Sequence, residues 1–265
     1  VATTPLESAL HFTGWREIFL ILAGLTMLVA LWLFVSVPER AEKPQPESLA
    51  TQWTGVRMVF ASAHFWRFVP LGLTIIGGFM AVQSLWSVSW LMQVNGDSRA
   101  LAADTLRSMN AAMLIAYVLI GLLATGLARR GIGPIVLLAV GVGVSLLTLG
   151  LIVSAGGGSS AWLWVAYGVF SSFGTLAYSQ AAAGFPLALA GRANTAFNLM
   201  VFIGAFAVQW GIGVLIDALQ AATASPAAAH RYAFLVLLAG QTAAYVWFLL
   251  AGWRRRAAPA HAPQR

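Results

Sequence analysis

Apolar residues fall into seven long runs, each closed by charged or turn-forming residues. A helix needs about 20 mainly apolar residues to cross the hydrocarbon core of a bilayer, and every run reaches that length. The pattern therefore predicts an all-α integral membrane fold with seven transmembrane helices. The runs lie between Glu17 and Pro38, Phe68 and Gln93, Leu106 and Ala128, Pro134 and Ser154, Trp162 and Phe185, Ala193 and Ile216, and Tyr232 and Trp253.

The longest polar stretch follows the first run and separates one lone helix from a group of six. Its first part is charged and contains prolines, which is typical of a linker. Its second part places Leu49, Trp53, Val56 and Phe60 at helical spacing, which indicates a helix in the membrane interface; a partly ordered loop is the alternative. The predicted parts are an outer segment with one helix, a linker, a six-helix bundle and a basic tail, at residues 1–37, 38–67, 68–253 and 254–265.

Composition excludes several other classes of protein. Hydrophobic residues make up 60% of the 265 residues and charged residues only 9%, whereas an ordinary soluble domain carries roughly 25% charged residues. A soluble domain and a disordered chain are therefore excluded. The sequence has no cysteine, which excludes disulfides and thiolate metal sites. The partner that this composition predicts is the lipid bilayer.

Basic residues fall mostly on one side of the predicted helices. The net charge of +7 would suggest nucleic acid as a partner of a soluble protein, but in a membrane protein the distribution of positive charge sets the orientation. The positive-inside rule places the amino terminus outside and the carboxyl terminus in the cytoplasm. The positive charge is thereby explained, and no nucleic acid is predicted as a partner. The cytoplasmic side receives eleven of the fifteen basic residues, and the outer side receives Arg16, Arg99, Arg107 and Arg231.

The predicted spans contain few groups that could carry out chemistry. The only lysine, Lys43, lies in the linker, and Glu17 and Asp217 lie at span ends, where Asp217 is expected to pair with Arg107 or Arg231. No phosphate loop, dinucleotide fingerprint or hydrolase elbow is present. The sequence therefore predicts no enzyme, no cofactor and no metal site. The histidines, placed outside the spans by this segmentation, are His11, His64, His230 and His261.

Uncharged polar residues form stripes on three of the spans. Amides and hydroxyls that face lipid lose hydrogen bonds, so they face other helices or a wet cavity. Phe79, Gln83, Trp86 and Trp90 recur at one helix face, whereas the fourth span, which carries Thr148, is almost wholly apolar and predicts an outer, lipid-facing helix. The candidate cavity residues are Gln83, Trp86, Trp90, Tyr178, Asn198 and Gln209; packing between helices is the alternative for each.

Several local strings resemble bacterial transporters of the major facilitator superfamily. Residues 14–19 (GWREIF), with the Val-Pro-Glu at 37–39, resemble the sixth helix of that family and its exit. Residues 65–68 (FWRF) are similar to the entry of the seventh helix, and residues 191–198 (GRANTAFN) to the entry of the eleventh. The order, sidedness and loop lengths of the whole chain are similar to this portion of the family.

A loop motif of the family, G-x-x-x-D-R-x-G-R-R, has a degenerate counterpart between the third and fourth spans. Gly121, Arg129 and Arg130 stand at matching places. Thr125 and Gly126 replace the acid and the first arginine. The resemblance implies that the three matching residues belong to a cytoplasmic gate; the alternative is that Arg129 and Arg130 serve only as topology signals.

The resemblance implies that the seven spans are the sixth to twelfth helices of a twelve-helix transporter of the bacterial inner membrane. Five helices are then expected upstream of Val1, so the missing amino-terminal half is a partner of this chain. The family fold implies a small-molecule substrate bound between the two halves and moved by alternating access. A self-contained seven-helix receptor or scaffold without transport activity is the alternative.

Any carboxylate that couples transport to a proton gradient is expected in the missing half, because no predicted span interior here contains one. We expect Asp217→Asn in the full-length protein to leave the gradient dependence of uptake unchanged. Uptake is measured with and without a pH gradient. Loss of gradient dependence with substrate exchange preserved would instead identify Asp217 as the coupling group.

Overall fold

Helices account for nearly all of the chain that the computed structural model describes, which is residues 13–36, 48–223 and 225–257, with side chains through residue 253. The predicted amino-terminal segment up to residue 12, the linker residues 37–47 and the tail from residue 258 lie outside the described residues. We number the helices in chain order. They are α1 (Trp15–Ser36), α2 (Leu49–Ala61), α3 (Ala63–Gln93), α4 (Arg99–Arg129), α5 (Pro134–Ala155), α6 (Ala161–Ser171), α7 (Leu176–Ala182), α8 (Leu187–Thr223) and α9 (Pro226–Ala257).

Within the described residues, six helices are long and apolar enough to cross a membrane: α1, α3, α4, α5, α8 and α9. The chain is therefore a multi-pass membrane protein. The fifth predicted span is helical along its length, but its hydrogen-bonding pattern changes from α to 3-10 over Ser172–Thr175. This turn divides it into α6 and α7, which have 11 and 7 residues, and neither segment alone is long enough to cross a membrane.

The chain divides into two compact units, Val1–Gln52 and Trp53–Arg265. The first contains α1, an apolar helix of 22 residues. The second contains α3 to α9, while α2 begins in the first unit and continues into the second. Within the second unit, α2 buries Gly55 and Val59, whereas Trp53 from the apolar stripe noted above is exposed.

Short turns join the helices of the second unit. Pro134 and Pro226 stand in the first turns of α5 and α9, where a missing N–H removes no intrahelical bond. The α3–α4 turn lies against the α5–α6 turn, because Asn95 Nδ2 donates to the Ser159 carbonyl and Ser159 Oγ donates to Asn95 Oδ1, both at 2.8 Å. These reciprocal bonds fix one end of the bundle.

The helix α3 is not a regular α-helix. Pro70 lies inside it and supplies no N–H, and two π-helical turns follow at Gly72–Ile76 and Val82–Trp86. Thr74 Oγ1 donates to the Pro70 carbonyl at 2.8 Å. Each π turn adds about one residue to a helix turn, so side chains beyond it are rotated by on the order of 100° relative to a regular helix.

Glycines bring α3 and α8 into backbone contact. A Cβ at Gly204 of α8 would overlap the Leu73 carbonyl oxygen of α3, and a Cβ at Gly77 would overlap the Val201 carbonyl oxygen of α8. Small residues at helix interfaces allow this approach in membranes, where packing replaces the hydrophobic effect as the force between helices. The α3–α8 pair is therefore the tightest helix contact that the described glycines mark.

Two hydrophobic clusters fill the interior of the second unit. One is centred on the end of α3 and contains Trp90, Trp164, Tyr167 and Phe234. The other surrounds the start of α3 and contains large side chains from α3, α8 and α9. These are Phe65, Phe68, Phe197 and Phe248.

The fourth span, predicted as an outer, lipid-facing helix, has both a buried and an exposed face. It forms α5, which buries one face along most of its length. Thr148 is only 5% exposed and donates from Oγ1 to the Val144 carbonyl at 2.7 Å. A helix with apolar residues on all sides carries no sequence signal for which face is buried, so periodicity could not reveal the inner face.

The α3–α8 contact predicts that one methyl group added between these two helices destabilises the fold. We expect Gly204→Ala to lower the free energy of unfolding by roughly 1–3 kcal/mol, because the added carbon meets backbone that cannot rotate away. Gly211→Ala, two turns further along α8 with nothing within 4 Å of its Cβ position, is the matched control. Equilibrium unfolding in mixed micelles measures both, and equal stability of the two variants would contradict the contact.

Candidate functional site

Gln83 lies half-buried on α3 and reaches the neighbouring helix α4. Its Nε2 donates to Asn110 Oδ1 and lies 3.6 Å from Met113 Sδ. Asn110 in turn donates from Nδ2 to the Leu106 carbonyl at 2.8 Å. The amide of Gln83 is thus held by a second amide in the middle of α4, while part of its surface stays accessible.

Trp86 lies one turn beyond Gln83 and connects α3 to α8. Its indole Nε1 donates to the Gln209 carbonyl oxygen at 3.1 Å. The ring is half-buried, and the side chain of Gln209 is exposed. The structure therefore brings two of the candidate residues together through a side chain and a backbone group.

Tyr178 and Asn198 form a second direct pair, between α7 and α8. The Tyr178 hydroxyl donates to Asn198 Oδ1 at 2.9 Å. The Tyr178 ring also packs edge-on against Phe197, with ring centroids 5.0 Å apart. Both members of the pair are half-buried, so their polar groups lie at the boundary between the packed interior and the accessible surface.

Trp90 lies apart from the other candidate residues. Its side chain is fully buried, and its ring packs 4.6 Å from Phe234 and 6.5 Å from Trp164. The π turn at Val82–Trp86 explains the difference, since it rotates Trp90 away from the direction that regular α-helical spacing predicts. Trp90 therefore packs behind Trp86 in the cluster at the end of α3.

The three residues of the degenerate loop motif lie at the end of α4. Gly121 is exposed, with nothing within 4 Å of its Cβ position. Arg129 is the last residue of α4 and Arg130 caps it; both are exposed, and across the described ranges neither forms an ion pair. Gly131 follows with φ +85°, a backbone conformation that glycine adopts without strain.

Two expectations about charged and titratable groups are wrong. Asp217 does not pair with Arg107 or Arg231: Arg107 pairs with Asp104 on its own helix, and the Arg231 guanidinium lies against Gly156. His230 does not lie outside the spans, because α9 begins at Pro226, one turn before it, and its side chain is only 4% exposed. A histidine in a sequence commonly indicates the end of a span, but both ring nitrogens of His230 form hydrogen bonds inside the bundle.

Sequence reasoning missed two residues that contact the candidate site. Asn110 bonds Gln83, and the His230 ring lies 6.4 Å from the Trp86 ring. An asparagine within an otherwise apolar span was the available signal for Asn110. For His230 the signal was Pro226, since proline favours the first turn of a helix.

Further polar side chains link helices in the buried interior. Gln241 on α9 donates to the Thr74 carbonyl at 2.8 Å, and Ser145 on α5 lies 2.7 Å from Ser171 on α6. Tyr167 points its hydroxyl towards Gln241 and Ser171 but makes no hydrogen bond of normal geometry. The bonds of Gln241 and of the Ser145–Ser171 pair thus satisfy polar groups inside the bundle, where an unpaired group is costly, whereas the Tyr167 hydroxyl stays without a partner among the described residues.

Two cavities of the second unit are lined by none of the candidate residues. One, of about 200 Å³, is an apolar cleft between α3, α8 and α9 that includes Thr74 and Gln241. The other, of about 250 Å³, lies beside Arg67 between α3, α5 and α9. In the part of the chain that the structure describes, no three His, Asp or Glu side chains come close enough together to hold a metal ion.

A sequence profile of the Major Facilitator Superfamily matches residues 1–209. The chain belongs to the Major Facilitator Superfamily. The resemblance inferred from the local strings is thereby confirmed. No curated protein shows a significant match to the sequence.

Solved structures of Major Facilitator Superfamily transporters share the fold. The transporter FucP in its outward conformation superposes with a TM-score of 0.62 at 18% identity, over 89% of this chain and 54% of that chain. A bacterial homologue of the human lysosomal transporter Spinster, inward-facing and unoccupied, gives 0.57 at 15% identity, over 93% and 61%. Its inward-facing occupied form gives 0.56 at 17%, over 93% and 60%. The chain thus spans a little over half the length of these transporters.

The Gln83–Asn110 contact predicts energetic coupling between α3 and α4. In a double-mutant cycle with Gln83→Met and Asn110→Leu, we expect a coupling energy of roughly 0.5–1.5 kcal/mol, the range of interhelical hydrogen bonds in membranes. Equilibrium unfolding in mixed micelles supplies the four free energies. The control cycle combines Gln83→Met with Asn198→Leu. Asn198 bonds Tyr178 and not Gln83, so this cycle should give a coupling energy near zero. A coupling energy equal to that of the control would contradict the contact.

Proposed function

We propose that this chain is the carboxyl-terminal portion of a transporter that moves a small organic solute across the membrane by alternating access. The family match over residues 1–209 carries this proposal. In this family fold two halves enclose a site near the middle of the membrane and rock about it, so that the site opens to one side at a time. The chain acts in this proposal as a transporter portion and not as an enzyme.

The proposed span count is seven. We count α6, the 3-10 turn at Ser172–Thr175 and α7 as one span, since together they run without a break from Ala161 to Ala182. With α1 as the sixth family helix, α3, α4 and α5 become the seventh to ninth, and α8 and α9 the last two. This assignment agrees with the share of the solved transporters that the chain covers.

The proposed substrate cavity is lined by Gln83, Trp86, Tyr178, Asn198 and Gln209, with Trp90 packed behind Trp86. The half-buried state of the first four supports this role, because a solute needs groups that are positioned by neighbours and still accessible. Amide and hydroxyl groups beside aromatic rings suit an organic solute with hydrogen-bonding groups. None of these side chains is charged.

The proposed location is the bacterial inner membrane, with the carboxyl terminus in the cytoplasm. The uneven distribution of basic residues supports this orientation, which puts Arg129 and Arg130 at the cytoplasmic end of α4. Gly121, Arg129 and Arg130 are proposed as the remnant of the family gate loop. The missing amino-terminal half would supply the opposite wall of the cavity.

The rival proposal is a self-contained seven-helix receptor or scaffold. It accounts for the orientation and the helix count without a second half. It does not account for the match of the family profile to both sides of the linker, over residues 1–209. The transporter is therefore the better-supported proposal.

The experiment is a transport assay with the full-length protein in vesicles, against a panel of neutral and charged organic solutes. For any solute that shows saturable uptake, we expect Trp86→Ala to weaken apparent affinity by on the order of 1–3 kcal/mol, through loss of an aromatic wall and its hydrogen bond. Thr242→Ala is the control, because Thr242 is exposed on α9 and bonds only the Leu238 carbonyl. Equal effects of the two variants, or no saturable uptake by the wild type, would contradict the proposal.

A further inference from the structure

The imidazole of His230 is held against the candidate site by two hydrogen bonds. Its Nδ1 lies 2.7 Å from the Pro226 carbonyl oxygen on the preceding turn of α9. Its Nε2 lies 2.8 Å from Ser89 Oγ on α3. The ring also meets Trp86 at an interplanar angle of 65°, with centroids 6.4 Å apart.

These partners define the tautomer of the neutral ring, that is, which ring nitrogen carries the hydrogen. A carbonyl oxygen can only accept, so Nδ1 carries the hydrogen and donates to Pro226. Nε2 then has a free lone pair and accepts the hydrogen of the Ser89 hydroxyl. In this state α9 holds the segment of α3 that carries Trp86, and Phe234, one turn after His230, packs on Trp90 at 4.6 Å.

Addition of a proton at Nε2 reverses the contact with Ser89. The ring then donates to Ser89 Oγ, and the serine hydrogen must turn to a backbone carbonyl of the preceding turn of α3. A positive charge also appears beside the indole of Trp86, whose ring face attracts cations. The new charge thus lies next to Trp86, whose indole N–H donates to the Gln209 carbonyl.

Among the residues with described side chains, none forms an ion pair with His230. From α3 the ring faces Trp86 and Ser89, and from its own helix it faces the Pro226 carbonyl. From α8, Ile216 and Leu219 join the same cluster, while Asp217 is exposed. Among the described residues, none of the charged groups at this end of the bundle forms an ion pair with His230, namely Asp97, Arg99, Asp104, Arg107, Asp217 and Arg231.

We propose that His230 is a positioning residue for Trp86 and that proton binding to its Nε2 changes how Trp86 is held in the cavity. This inference rests on the proposed function, since it gives the substrate site a group that binds protons. Histidine is the side chain that ordinarily changes charge between pH 5 and 8. Transport by this protein then depends on pH through a residue of the carboxyl-terminal portion, independently of any carboxylate elsewhere.

The test uses the full-length protein in lipid nanodiscs with ¹⁵N-labelled histidine and tryptophan, and the proton itself as the probe. In the wild type, we expect the imidazole signal of His230 and the indole N–H signal of Trp86 to shift together with pH, with one common midpoint. His230→Gln and His230→Asn each keep a polar group near one of the two partners, and both should abolish the shift of Trp86. The Trp247 indole, which donates to the Trp66 carbonyl, should stay fixed in all three proteins.

Other outcomes separate this inference from the proposed function. A Trp86 signal that shifts unchanged in both variants, or a Trp86 signal that shifts with a midpoint different from that of His230, would overturn the positioning role. If the shift is lost as expected but Trp86→Ala transports with wild-type affinity, the positioning stands and the cavity assignment fails. If Trp86→Ala weakens affinity and the pH dependence of affinity in the wild type disappears in His230→Gln, both hold.

Discussion

The backbone contact between α3 and α8 is the constraint on which the rest of the bundle depends. Two apolar helices gain little by leaving lipid for each other, so close van der Waals contact must supply the attraction. Gly77 and Gly204 allow that distance. At this separation Trp86 of α3 reaches the Gln209 carbonyl of α8. On another side of α3, Gln241 of α9 reaches the Thr74 carbonyl beside Gly78.

Polar pairs across helices determine which helices are neighbours. Gln83 with Asn110 joins α3 to α4, Ser145 with Ser171 joins α5 to α6, and the hydroxyl of Tyr178 joins α7 to α8 through Asn198. Each bond contributes little free energy in a membrane, but a helix in the wrong place would leave its polar group unsatisfied. Apolar side chains fill the volume, and the polar pairs select the arrangement.

The sequence was sufficient for the class of fold and for the family, because length and polarity of a span are properties of a single helix. Contacts between helices required the structure. The span that carries Thr148 gave no signal of its buried face, and Asp217 was expected to pair with one of two arginines but forms no ion pair in the described residues. On α3, Gln83 and Trp86 are half-buried and Trp90 is fully buried, because a π turn changes the helical period along this stripe.

The π turns of α3 also bear on how this chain tolerates insertion and deletion. A π turn is equivalent to one extra residue within an α-helix, so removal of a single residue in the segment Val82–Trp86 would restore regular spacing and leave the residues beyond it, including Ser89 and Trp90, in nearly the same direction. The same removal from a regular part of α3 before this turn would rotate every later residue by on the order of 100° about the helix axis. Ser89 would then leave His230 and Trp90 would leave Phe234 without any change of residue type. The π turn is thus the place in α3 where an in-frame loss of three nucleotides disturbs these contacts least.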